Sequence, residues 1–182
     1  MRAVPESLAS PPPVRGPRLE LLRALGFATL QHDSHVPFLS HLAGTRRLLA
    51  EWGARPALCD AGLFHSVYGT EYFEPRRTPD RREVVAIIGA EAERIAYLWC
   101  TISRATLDKS RRTVSFRADG TTEALTPSEV GDLATLWAAD TVEQISRMEP
   151  AERGFATGLR SVIGAASEPA RRAVEALGDL LV

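Results

Sequence analysis

The sequence predicts an all-α fold with a short β-hairpin insertion, and three observations predict it. Apolar residues recur at three- and four-residue spacing through most of the chain, which is the period of a helix with one buried face. Prolines and glycines bracket these stretches where a helix would start and stop. A single interval, Arg111 to Leu125, changes period: Val114, Phe116 and Ala118 alternate with polar residues around the turn pair Asp119-Gly120.

At 182 residues the chain reads as one domain over residues 17–182, long enough to bury a sizeable core. Residues 1–16 hold three consecutive prolines, which forbid a helix, and read as a flexible tail. Pro17 then opens a short helix with Leu21, Leu22 and Leu25 on one side, closed by Gly26. Gln31–Val36 reads as a polar loop. Its His32-Asp33 dipeptide lacks any surrounding apolar helical pattern.

From Pro37, the residues His41, Thr45, Leu48, Leu49 and Trp52 share one helical face, and Gly53 suits a left-handed cap. Pro56 opens a second helix whose Leu58, Ala61, Gly62 and His65 form another such face. A polar segment follows, and Thr78-Pro79 reads as the N-cap and first turn of the next helix. Val84, Val85, Ile87 and Ile88 form one apolar run, broken near Gly89. Ala92, Ile95, Ala96 and Trp99 form the next. After the hairpin, Thr126-Pro127-Ser128-Glu129 has the spacing of a capping box, opening a helix in which Leu133, Leu136, Trp137, Asp140 and Gln144 are neighbours. Phe155, Leu159, Val162 and Ile163, then Val174, Leu177 and Leu181, are amphipathic helices of the packing kind.

Two histidines and one aspartate stand out because each interrupts an otherwise apolar helical face. A buried polar group without a partner costs about 1–3 kcal/mol. His41, His65 and Asp140 can satisfy one another by holding a single divalent metal, and the donor set suits manganese, iron or zinc. The bland alternative is a set of hydrogen-bonded core residues. His32 or His35 can add a fourth ligand or merely line the mouth.

His41, the AGLFH segment ending at His65 and the LWAAD segment ending at Asp140 resemble the H…HD…D skeleton of the HD-domain superfamily of metal-dependent phosphohydrolases. Arg82–Arg104 is similar to the helix that follows the HD pair in (p)ppGpp hydrolases. The LFHSVYGTEYF segment resembles more closely an uncharacterised family of small HD-like proteins that read HS in place of HD. The resemblance implies an HD-like helical core, a divalent metal and a small-molecule substrate. Ser66 stands where the pattern has its aspartate, and Gly69-Thr70 replaces the Glu–Asp pair of the (p)ppGpp hydrolases.

Ser66 can hold a metal-bound water by hydrogen bonding but cannot deprotonate it, so a hydrolytic water would depend on the metal lowering its pKa or on Glu71 acting as base. Arg104, Lys109 and Arg111 are candidate phosphate contacts, and Tyr68 a candidate stacking surface. Their plain alternatives are a solvated basic run and ordinary loop packing. The expected function is a metal-dependent hydrolase of a small phosphorylated metabolite or nucleotide. The alternatives are an HD-type non-heme iron oxygenase and a non-catalytic ligand- or partner-binding protein.

Formal net charge is −1, so no basic field favours nucleic acid or an acidic membrane surface. All basic residues but Lys109 are arginine. Cys59 and Cys100 have neither a zinc-ribbon spacing nor a disulfide framework. With no apolar run of membrane length and no hydrophobic leader, a cytoplasmic protein is expected.

Overall fold

The computed structural model describes residues 14–32, 36–149, 153–154, 156 and 158–181. Most of the expected tail, His35, Asp33 and Phe155 lie outside these residues, as does the side chain of His32. The helix α1 spans Pro17–Ala24 and is followed by Gly26 at φ +91°. Two-residue strands β1 (Gln31–His32) and β2 (Val36–Pro37) pair antiparallel across the expected polar loop. α2 runs Phe38–Glu51 with Pro37 as its N-cap, and Gly53 takes the left-handed φ of +72° that its position calls for. α3 is Pro56–Phe64 with proline in its first turn.

α4 (Arg81–Ile88) and α5 (Ala90–Thr101) are separate helices because Gly89, at φ +85°, turns the chain between them. The cap of α4 is Asp80, whose carboxylate accepts from the Arg82 N–H. Thr78-Pro79 therefore lies before the helix rather than in it. α6 (Pro127–Gln144) starts in the expected capping box, with Thr126 and Glu129 each accepting from the other's backbone N–H. Short α7 (Leu159–Val162) and α8 (Glu168–Glu175) follow.

The all-α expectation is corrected by the segment between α5 and α6. The hairpin is present as β4 (Thr113–Phe116) and β5 (Thr122–Ala124), joined through Asp119-Gly120. A third strand, β3 (Ile102–Asp108), pairs antiparallel with β4 and completes a three-stranded sheet in the order β3-β4-β5. The chain therefore mixes helices with a sheet. The switch comes at Ile102, which leaves α5 directly into extended backbone at ψ 157°. Ile102 and Leu107 are buried, so the strand packs its own apolar residues onto the helical body. Arg104, expected at the end of a long helix, is instead carried on β3.

The core is formed by Leu42 and Leu49 of α2, Leu63 and Phe64 of α3, Leu98 and Trp99 of α5, and Leu133, Leu136 and Trp137 of α6. Burying each such side chain contributes about 1.5–3 kcal/mol. α2 packs against both α3 and α6, and α3 against α5. Close approach depends on two glycines. A Cβ at Gly62 would clash with Leu49 Cδ1, and one at Gly44 would lie 2.7 Å from Glu143 Oε1. Arginine forks reach in from the surface onto buried carboxylates, among them Arg18 on Asp60, Arg55 on Asp132 and Arg81 on Glu93.

Candidate metal centre

Three elements that are distant in sequence deliver the three candidate ligands to one point. His41 lies one turn into α2, His65 is the residue that caps the C-terminal end of α3, and Asp140 lies on the last turns of α6. All three are buried, at 1%, 2% and 4% exposure. Solvent therefore does not satisfy them.

The ligating atoms form a nearly equilateral triangle. His41 Nε2 is 3.1 Å from His65 Nε2 and 3.2 Å from Asp140 Oδ1, and His65 Nε2 is 3.3 Å from the same Oδ1. Neighbouring ligands held at 2.0–2.2 Å from a metal stand about 2.8–3.6 Å apart in octahedral or tetrahedral arrangements. The triangle falls within that range. This buried group can hold a metal ion.

The outward hydrogen bonds decide which nitrogen faces inward. His65 Nδ1 lies 2.7 Å from the Gly62 carbonyl, which can only accept, so Nδ1 carries the proton and Nε2 presents a lone pair. His41 Nδ1 donates to Glu143 Oε2 at 2.5 Å, and a carboxylate likewise only accepts. Glu143 is in turn held by Arg147 Nη2 at 2.7 Å. A carboxylate behind a ligating histidine fixes its ring and raises its basicity. Two inward lone pairs and a carboxylate oxygen are three mutually repelling acceptors, which need a cation or a proton among them.

The charges respond accordingly. Burial opposes protonation of His41, but hydrogen bonds and charge from Asp140 and Glu143 outweigh it and push the imidazole up to about 9. Burial would raise Asp140, yet its bonds to His41 and His65 hold the carboxyl far below the usual carboxylate range. A proton on His41 Nε2 thus occupies the middle of the triangle when no metal does. Asp140 Oδ1 also accepts from Gln144 Nε2 at 3.2 Å. Behind His65, the Cys100 thiol donates to its carbonyl at 3.1 Å, and burial keeps that thiol protonated by pushing it up to about 12.

The remaining sequence candidates divide. Arg104 is buried beside the triangle, with Nη1 3.8 Å from Asp140 Oδ2. Glu71 reaches Arg104, its Oε2 standing 3.2 Å from Nε and its Oε1 accepting from the Arg104 backbone N–H at 3.2 Å. Ser66 is buried next to His65. Tyr68 points elsewhere: its hydroxyl donates to Glu93 at 3.0 Å and its ring meets Tyr97 edge-on. Lys109 and Arg111 lie exposed on the turn between β3 and β4. Sequence reasoning passed over Glu143. The signal was the spacing of Asp140, Glu143 and Gln144, which share a helix face at three- and four-residue steps.

Residues 21–104 match the model of a domain of unknown function, DUF6817. The matched stretch carries His41, His65, Glu71 and Arg104 and stops before Asp140. No curated protein and no solved structure matches the chain.

Proposed function

We propose that the protein is a metal-dependent hydrolase of a small phosphorylated metabolite or nucleotide, built on an HD-domain-like core. The observation that carries this reading is the triangle of inward lone pairs from His41, His65 and Asp140, set beside the buried guanidinium of Arg104. A divalent ion held there would polarise a phosphoryl oxygen and lower the pKa of a water. Glu143 orients His41 from behind, and the Gly62 carbonyl does the same for His65. Arg104 offers permanent positive charge to an anionic substrate group at the point where Asp140 turns its second oxygen. The likeness of His41, His65 and Asp140 to the HD skeleton supports the same chemistry.

One observation favours a second reading, an HD-type iron oxygenase. Ser66 leaves the centre with two histidines and one carboxylate, the donor set of facial iron sites with open positions. The two readings part under one experiment. Protein purified without oxygen is loaded with Mn(II) or Fe(II) and offered a panel of phosphate monoesters and nucleotides. The hydrolase reading expects phosphate release with Mn(II) in the absence of oxygen, lost in Asp140→Asn. Oxygen consumption that needs Fe(II), with no anaerobic phosphate release, would replace it with the oxygenase reading.

A further inference from the structure

Arg104 is the sole lysine or arginine buried among the described residues. Its guanidinium carbon lies 4.3 Å from the Trp99 ring centroid and 5.2 Å from that of Tyr72. A planar cation in contact with two aromatic rings is restricted in orientation. The donors of Arg104 are poorly used. Nε is buried and within 3.2 Å of Glu71 Oε2, but the two lack the alignment of a hydrogen bond. The contact to Asp140, at 3.8 Å, is too long to be one.

Elsewhere this chain grips its carboxylates with two-pronged forks. Arg18 holds Asp60 at 3.1 and 2.7 Å, and Arg81 holds Glu93 at 2.6 and 2.7 Å. Glu71 is thus an ill-fitting anion on a cation with donors to spare. It also sits at the tip of a tight turn. Gly69 takes φ +87°, Thr70 N–H donates to the Phe73 carbonyl at 2.7 Å, and Phe73 is anchored on Phe38 with ring centroids 4.4 Å apart. Between those anchors stand Glu71 and Tyr72, the latter 66% exposed.

We propose that Arg104 is the substrate-anion subsite of this centre, and that Glu71 fills it as an internal stand-in which a phosphoryl group displaces. The choice of phosphoryl rests on the hydrolase reading above. The incoming phosphoryl group would bridge the guanidinium fork and the metal triangle, because Arg104 and the triangle share Asp140. Glu71 then acts as a gate over the site: its carboxylate is committed to Arg104 until substrate arrives, and Tyr72 covers the guanidinium from outside.

The test uses the full chain stripped of metal by a chelator, with inorganic phosphate as the probe, so that no gain can come from a metal. Calorimetry should show Glu71→Gln binding phosphate about tenfold more tightly than the parent, since removing an internal competitor raises the competent fraction. Adding Arg104→Gln to Glu71→Gln should erase that gain. In the unsubstituted chain, phosphate should increase deuterium uptake in the segment from Gly69 to Pro75, a readout independent of whether the Arg104 variant folds. Equal affinity in the parent and Glu71→Gln would overturn the proposal, as would phosphate binding that leaves exchange at Thr70–Phe73 unchanged. A protein that binds metal but releases phosphate from no ester would count against the hydrolase reading and leave these binding results standing.

Discussion

His41 is held at both ring nitrogens, by Glu143 outside the triangle and by Asp140 and His65 within it. Glu143 sets which nitrogen faces the metal, so Glu143→Ala should lower Mn(II) affinity about 10–100-fold, the usual effect of losing a partner behind a ligand. Competition against a chromophoric chelator measures it. Unchanged affinity would mean that packing alone orients the ring. The three candidate ligands were legible in the sequence because each is a polar residue on an apolar helical face. Glu143 was not, because Glu143 with Arg147 four residues on reads as a surface ion pair. Nothing in one dimension shows that the same carboxylate turns inward to a histidine 102 positions away.

At the level of elements, α2 must lie close to both α3 and α6 for His41 to meet its partners, and glycine at the contacts makes this possible. Gly62→Ala would drive a methyl into Leu49. It should destabilise the fold by about 1–3 kcal/mol, the cost of overpacking a dense core, and weaken metal binding by separating His65 from His41. Thermal unfolding with and without Mn(II) reads both effects, and an unaltered midpoint would show that the interface yields without strain. Helix starts and stops were readable because Pro17, Gly53, Pro56, Gly89 and Thr126 impose local geometry. β3 was not, because Ile102–Asp108 follows α5 with no glycine or proline between them. Its extended state is stabilised by pairing with β4, a tertiary effect that local pattern does not encode. That omission also hid the placement of Arg104, since β3 is what brings it beside Asp140.

Taken whole, the molecule brings its candidate ligands together where α2, α3 and α6 meet, and β3 with the segment around Glu71 lies beside them. Among the described residues no helix is long and apolar enough to cross a membrane. The His41–His65–Asp140 triangle can hold one divalent ion, with a proton on His41 as its competitor. Calorimetric titration of the metal-free chain with Mn(II), without oxygen and at several pH values, tests it most directly. Since His41 is raised to about 9, its proton is bound throughout the range below that value and must leave when the ion enters. Affinity should therefore rise as pH climbs from about 6.5 toward 9, by at most about tenfold per unit, with close to one proton released per ion. One ion should bind per chain, and His65→Ala and Asp140→Asn should each abolish that binding. A folded chain that takes up no ion at any of these pH values, or variants that bind as well as the parent, would contradict it.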